Sequence, residues 1–148
     1  MALFEVSVRT PLSPDEAWRR LVDWPKHADR VPLTSIRVLT SRPSGVGTVI
    51  VARTGVGPVG FDDPMEITEW APPPTDDEAG FCRLEKRGSA VTGWAELTVT
   101  PEPGGGSTAI WREEIHVWKL PGLFDRPTAM TSRLLFGRVL RHVLRSAG

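Results

Sequence analysis

Apolar and polar residues alternate in twos from the fourth position: Phe4, Val6 and Val8 against Glu5, Ser7 and Arg9. That period predicts a half-buried strand, ended at Thr10-Pro11. Ser13-Pro14-Asp15-Glu16 then reads as a helix start. Ser13 is the N-cap, Pro14 takes the first helical position and Glu16 closes a capping box. Ala17, Trp18, Leu21 and Val22 form the apolar face of this helix. Trp24-Pro25 breaks it, and Pro25 opens a second short helix to about Val31, before Pro32. Beyond that point strand patterns alternate with Gly/Pro turns. Strands are predicted over 36–39, 48–53, 61–70, 81–87, 92–100 and 108–118, with a Pro-rich acidic loop over 71–79. Asp125 caps a last helix running to about Arg145, with Met130, Leu135, Phe136, Val139, Leu140, Val143 and Leu144 as a broad apolar stripe.

The order is one strand, two short helices, six strands and one long helix. Successive strands joined by short links predict an antiparallel meander, hence an α+β fold over a single domain, residues 1–148. A twisted seven-stranded sheet with one face in water needs cover on the other, and only the C-terminal helix is long enough to supply it. Such a sheet wraps a helix incompletely, so a cavity is expected between them. Gly137 within the helix fits this picture as a way to spare volume beneath it.

Composition narrows the function classes. The chain has 148 residues, with 18 acidic and 18 basic. It therefore offers no overall field for a nucleic acid or a membrane surface. The first residues lack a basic region and an apolar run, so no signal peptide is expected. No apolar stretch predicts stable membrane insertion. Cys82 is the single cysteine, which suits a reducing, cytoplasmic setting. Three scattered histidines and one cysteine show no metal-ligand spacing, and neither metal nor cofactor is expected. There is no tyrosine, so no mechanism can use one. Residues 55–60 match G-x-G-x-x-G, but Pro58 and the strand that follows deny the helix a dinucleotide site needs; a hairpin turn is the expectation.

Strand periodicity assigns faces. Ala109, Trp111, Glu113, Ile115 and Val117 point inward in the last strand. Gly93, Ala95, Leu97 and Val99 point inward in the strand before it, as do Phe61, Asp63, Met65 and Ile67, and Cys82, Leu84 and Lys86, in two others. The expected ligand-lining set is Trp111, Met65, Ile67, Leu97, Ile115, Leu84, Lys86, Arg53, Phe136 and Leu140. Glu113 and Asp63 stand out, because a carboxylate on an apolar face is costly unless paired, hydrated or protonated. Either they serve a ligand as orienting or acid/base groups, or they pair with Lys86, Arg53 or a helix arginine and close the pocket end. His27 is a candidate proton shuttle near the cavity rim, or a surface or partly buried residue. His116 and His142 are expected to face solvent. The segment 125–148 carries five arginines against one aspartate, a net of +4. Either this is a membrane- or partner-facing helix, or its arginines meet acidic residues elsewhere. Leu120-Pro121-Gly122-Leu123-Phe124 is an apolar loop: if exposed, a lid or a membrane or partner contact; if buried, a plug for one end of the core.

Several segments resemble the START-like (SRPBCC) superfamily. They are Ala17-Trp18 with Leu21-Val22-Asp23-Trp24, then Val46-Gly47-Thr48, Met65 to Pro73, and Gly105-Gly106-Ser107-Thr108-Ala109-Ile110-Trp111. Within it the chain is most similar to the bacterial polyketide cyclase/dehydrase and lipid-transport group. The resemblance implies a helix-grip fold around a hydrophobic pocket. It carries over no catalytic residue, because the group includes carriers, aromatases, ubiquinone-binding proteins and co-chaperone modules. Three functions follow as expectations. The first is binding or transport of a hydrophobic small molecule: polyketide-like, aromatic or lipid. The second is a cyclase or dehydratase in which Glu113 or Asp63, with His27 or Arg53, moves protons. The third is an interaction module using Trp94 and Trp118 on the outer sheet face.

Overall fold

In a computed structural model the protein is described over residues 2–29, 31, 33–40, 44–56, 58–89, 91–117 and 125–145; for residues 2 and 125–128 this means the backbone only. Seven strands are present: β1 (Ala2–Thr10), β2 (Thr34–Val38), β3 (Val49–Val56), β4 (Val59–Ala71), β5 (Gly80–Lys86), β6 (Val91–Pro101) and β7 (Ser107–Val117). They form one antiparallel sheet in the order β1-β7-β6-β5-β4-β3-β2. Helix α1 (Pro14–Leu21) and helix α2 (Asp125–Arg145) complete the frame. This is the helix-grip architecture that the sequence predicts.

The second short helix is smaller than expected. It is a 3₁₀ turn of five residues, Trp24–Ala28. Ser13 caps α1 by accepting from the Glu16 N–H at 3.2 Å. Glu16 does not reach back to Ser13; its carboxylate instead holds Arg19 (2.8 Å) and Arg20 (3.0 Å). Arg20 also donates to the Leu144 carbonyl at 2.8 Å, satisfying a carbonyl at the C-terminal end of α2 and tying the two helices together.

Helix α2 packs along the edge strand β1, and the 3₁₀ turn contacts both α2 and the other edge strand, β2. Gly55 and Gly60 face each other across the β3–β4 hairpin, where a Cβ on Gly55 would lie 2.4 Å from the Gly60 Cα. The glycine-rich motif is thus a hairpin closure, as expected. A register shift between Ile67 and Glu69 turns Trp70 inward, where it meets Trp18 edge-on at 5.2 Å.

Two expectations about α2 are corrected. A Cβ on Gly137 would meet only the Arg141 side chain, at 3.4 Å, so this glycine spares no volume over the cavity. Among the described residues Arg133, Arg138, Arg141 and Arg145 form no ion pair with acidic residues. His142 is half-buried and bonds Asp29 at 3.1 Å, while His116 is exposed. No described helix is long and apolar enough to cross a membrane. The 120–124 loop and Trp118 lie outside the described residues.

Candidate functional site

A cavity of about 320 Å³ lies between the concave sheet face, the 3₁₀ turn and α2. Each strand contributes alternate residues, as the pleat requires. β4 supplies Phe61, Asp63 and Met65; β5 supplies Leu84 and Lys86; β7 supplies Trp111, Glu113, Ile115 and Val117. α2 closes the opposite wall with Ser132, Leu135 and Phe136, and Trp24 and His27 come from the 3₁₀ turn. Phe61 is half exposed and marks the mouth.

Part of the wall is aromatic. Trp111 stacks on Phe136 with centroids 5.4 Å apart and planes 16° apart. His27 sits between Trp24 (5.6 Å) and Trp111 (5.8 Å). His27 is buried, not placed on the surface. Its Nε2 lies 2.6 Å from the Leu21 carbonyl, the last residue of α1. A carbonyl only accepts, so Nε2 carries the proton and Nδ1 keeps its lone pair. Burial lowers the imidazole pKa below 6.5, against the upward pull of that carbonyl and of Asp23 and Asp29. The ring is neutral at neutral pH.

The polar groups converge on Lys86. Its Nζ bonds Asp63 Oδ2 at 2.6 Å, Glu113 Oε2 at 3.4 Å and Met65 Sδ at 3.7 Å. The Trp111 indole N–H donates to Glu113 Oε1 at 2.9 Å. Lys86 and Glu113 are on strands separated by β6. They meet because β6 is small where they cross: Gly93 and Ala95 face inward there, and Ala95 pairs with both Leu84 and Glu113. Burial works against the Lys86 ammonium, but Glu113 and Asp63 outweigh it and the pKa rises. Burial also raises the Glu113 pKa above 4.5, more than Lys86 and the Trp111 N–H lower it. Asp63 Oδ1 is buried and accepts a hydrogen bond from no described residue. The cluster can therefore hold a polar group, hold or release a proton at Glu113, or serve as a charged plug.

Several predicted lining residues fall elsewhere. Ile67, Leu97 and Leu140 are fully buried and belong to the packed core, not the cavity wall. Arg53 lies on the outer face, bonded to Asp62 at 3.1 Å, because the β3–β4 register pairs Arg53 with Asp62 and gives the inner position to Ala52 and Asp63. It is therefore removed from both the ligand-lining and the proton-transfer sets. Trp94 is not a free aromatic: Arg83 lies over its ring at 4.7 Å and Arg112 at 5.8 Å. Ile36, Ile50, Ala52 and Thr54 line the cavity and were not anticipated. In β3 both faces are apolar, since Ile50 and Val51 are each buried, so alternation alone could not choose between them. Among the described residues no group of His, Cys, Asp or Glu is arranged to hold a metal ion.

No protein-family model matches the sequence, and none of the curated proteins matches it significantly. Solved structures do share the fold. A conserved protein from Geobacillus kaustophilus aligns with TM-score 0.68 at 15% identity, over 98% of this chain and 93% of that one. Norcoclaurine synthase from Thalictrum flavum, in complex with dopamine and hydroxybenzaldehyde, gives 0.64 at 16%, over 99% and 88%. The Zhui aromatase/cyclase from Streptomyces sp. R1128 gives 0.60 at 14%, over 96% and 90%. At these identities the likeness is one of fold, and that fold is the helix-grip one expected from the sequence.

Proposed function

We propose that this protein binds an apolar, ring-containing small molecule in the cavity between its sheet and α2. One observation carries the reading: apolar and aromatic side chains form most of the wall, and the charged groups are gathered in one buried cluster. Small-molecule sites have this character. The volume of about 320 Å³ sits at the lower end of the roughly 300–1,000 Å³ range for such sites, which favours a compact ring system over a long acyl chain. The stacked Trp111–Phe136 pair suits a flat ligand. Solved proteins of this fold include one bound to dopamine and hydroxybenzaldehyde and one named as an aromatase/cyclase, which supports a ring-shaped occupant. Buried, unpaired Cys82 fits a reducing cytoplasmic setting. Native mass spectrometry of protein drawn from cell extract tests the reading. A co-purifying mass released by organic solvent is expected. Empty spectra throughout, with no mass gained from a panel of ring compounds, contradict it.

A second reading, a cyclase or dehydratase, draws support from the Lys86 cluster. Glu113 has a raised pKa and a neutral His27 lines the same cavity, groups of the kind that move protons on a bound substrate. Under this reading Glu113→Gln abolishes turnover of a polyketide-like substrate and retains binding. Unchanged turnover takes Glu113 out of the mechanism.

A further inference from the structure

The hydrogen-bonding capacity of the cluster is one-sided. Of the three N–H donors of Lys86, one bonds Asp63 Oδ2 and one reaches Met65 Sδ, while Glu113 Oε2 lies 3.4 Å from Nζ as an ion pair. The single donor of Trp111 is spent on Glu113 Oε1. The His27 Nε2–H is spent on the Leu21 carbonyl. What remains is acceptor capacity: Asp63 Oδ1 and His27 Nδ1, neither bonded to any described residue. The hydroxyls of Ser132 and of the bonded Thr34–Thr54 pair can donate or accept, so they do not discriminate. Charge points the same way. With all three groups ionised, two carboxylates face one ammonium, leaving a surplus of one negative charge.

Side-chain exposure ranks the three members, although Asp63 Oδ1 itself is buried. The Asp63 side chain retains 15% of its surface, against 3% for Lys86 and 4% for Glu113. We infer that the ligand carries a hydrogen-bond donor, a hydroxyl or a protonated amine, seated on Asp63, and that the site rejects carboxylates. A carboxylate would have to displace Asp63 from its 2.6 Å bond to Lys86 or compete with Glu113 for the same ammonium, with the Asp63 carboxylate beside it. This inference deepens the ligand-binding reading and rests on it. It gives Asp63 the specificity-determining position, a role its residue type alone does not reveal.

Isothermal titration calorimetry of the full chain with four probes of one ring system tests it: naphthalene, 2-naphthol, 2-naphthylmethylamine and 2-naphthoate, at neutral pH. The alcohol and the amine should bind about ten-fold or more tighter than naphthalene, and naphthoate should bind weakest. In Asp63→Asn the amide oxygen takes over the bond from Lys86 and the NH₂ is presented instead. The alcohol and amine should then lose their advantage, and naphthoate should gain about ten-fold relative to its wild-type affinity. Naphthoate binding wild type as well as 2-naphthol overturns the inference. So does naphthalene matching 2-naphthol, although in that case the ligand-binding reading stands. Failure of all four probes to bind removes both.

Discussion

Ile67, Cys82, Leu97, Val99 and Leu140 are fully buried at one end of the concave face, while Met65, Leu84, Lys86, Trp111 and Phe136 wall an open cavity at the other. The strands are the same and the inward residues alternate in the same way. What differs is what fills the space. At the closed end α1 packs against β5, β6, β7 and α2, and Trp18 meets the bulge-turned Trp70. At the open end Ala52, Gly93 and Ala95 present little volume, and a buried ion cluster occupies sites where apolar side chains would pack. The contrast teaches that a curled sheet becomes a container where a second helix is missing and the inward residues are small. The closed end holds the fold, and the open end can be varied for a ligand.

The largest effect should come from Lys86→Met. It would leave Glu113 and Asp63 facing each other without a cation, at a cost of about 3–5 kcal/mol in urea unfolding. A loss below about 1 kcal/mol would mean that the carboxylates reach water, and the cluster would cease to distinguish the two ends. Next, Ile67→Ala and Met65→Ala compare the ends directly on neighbouring inward positions of β4. Ile67→Ala should cost about 2–5 kcal/mol by opening a void in packed core. Met65→Ala, beside an existing cavity, should cost clearly less and change ligand affinity more. Equal stability losses would erase the distinction.

A smaller effect concerns pH. Burial depresses the His27 pKa below 6.5, so an unfolded chain takes up a proton that the folded one refuses. Its stabilising contribution is complete above 6.5 and is lost as pH falls through the folded value. Glu113 has the opposite sign: its raised carboxyl stabilises the fold at pH below 4.5, and this is lost as pH rises through the folded value. Thermal unfolding of His27→Gln against wild type isolates the histidine. From about pH 7 to about pH 5 wild type should lose stability relative to the variant. Parallel curves would show that His27 is not buried as a neutral ring. The smallest effect is expected at Arg53→Ala, on the outer face: a change within about 0.5 kcal/mol and unaltered ligand affinity.

Much of this was legible from residue patterns. The periods of two and of 3.6, the Gly/Pro punctuation and the length of the last helix carry the element order. Alternation placed Glu113, Asp63 and Lys86 on inward faces, because polar residues there interrupt apolar rows. What stayed hidden depends on pairing between distant strands. That Lys86 reaches Glu113 across β6 needs the register that sets Ala95 between Leu84 and Glu113. That Ile67, Leu97 and Leu140 are core, not lining, depends on where α1 docks, which no local pattern states. Arg53 was misplaced because β3 is apolar on both faces. His27 was placed near the cavity, but its burial was not foreseen, because its partners, Trp24, Trp111 and the Leu21 carbonyl, converge from three elements.

Filling the cavity tests the central claim most directly. Ala52 sits on its wall, paired with Asp63, with room for a larger side chain. Calorimetric titration of 2-naphthol into wild type and Ala52→Phe, each checked by thermal unfolding, should give binding in the first and none in the second, with the variant as stable as wild type. Equal binding in both proteins would contradict a ligand held between sheet and helix.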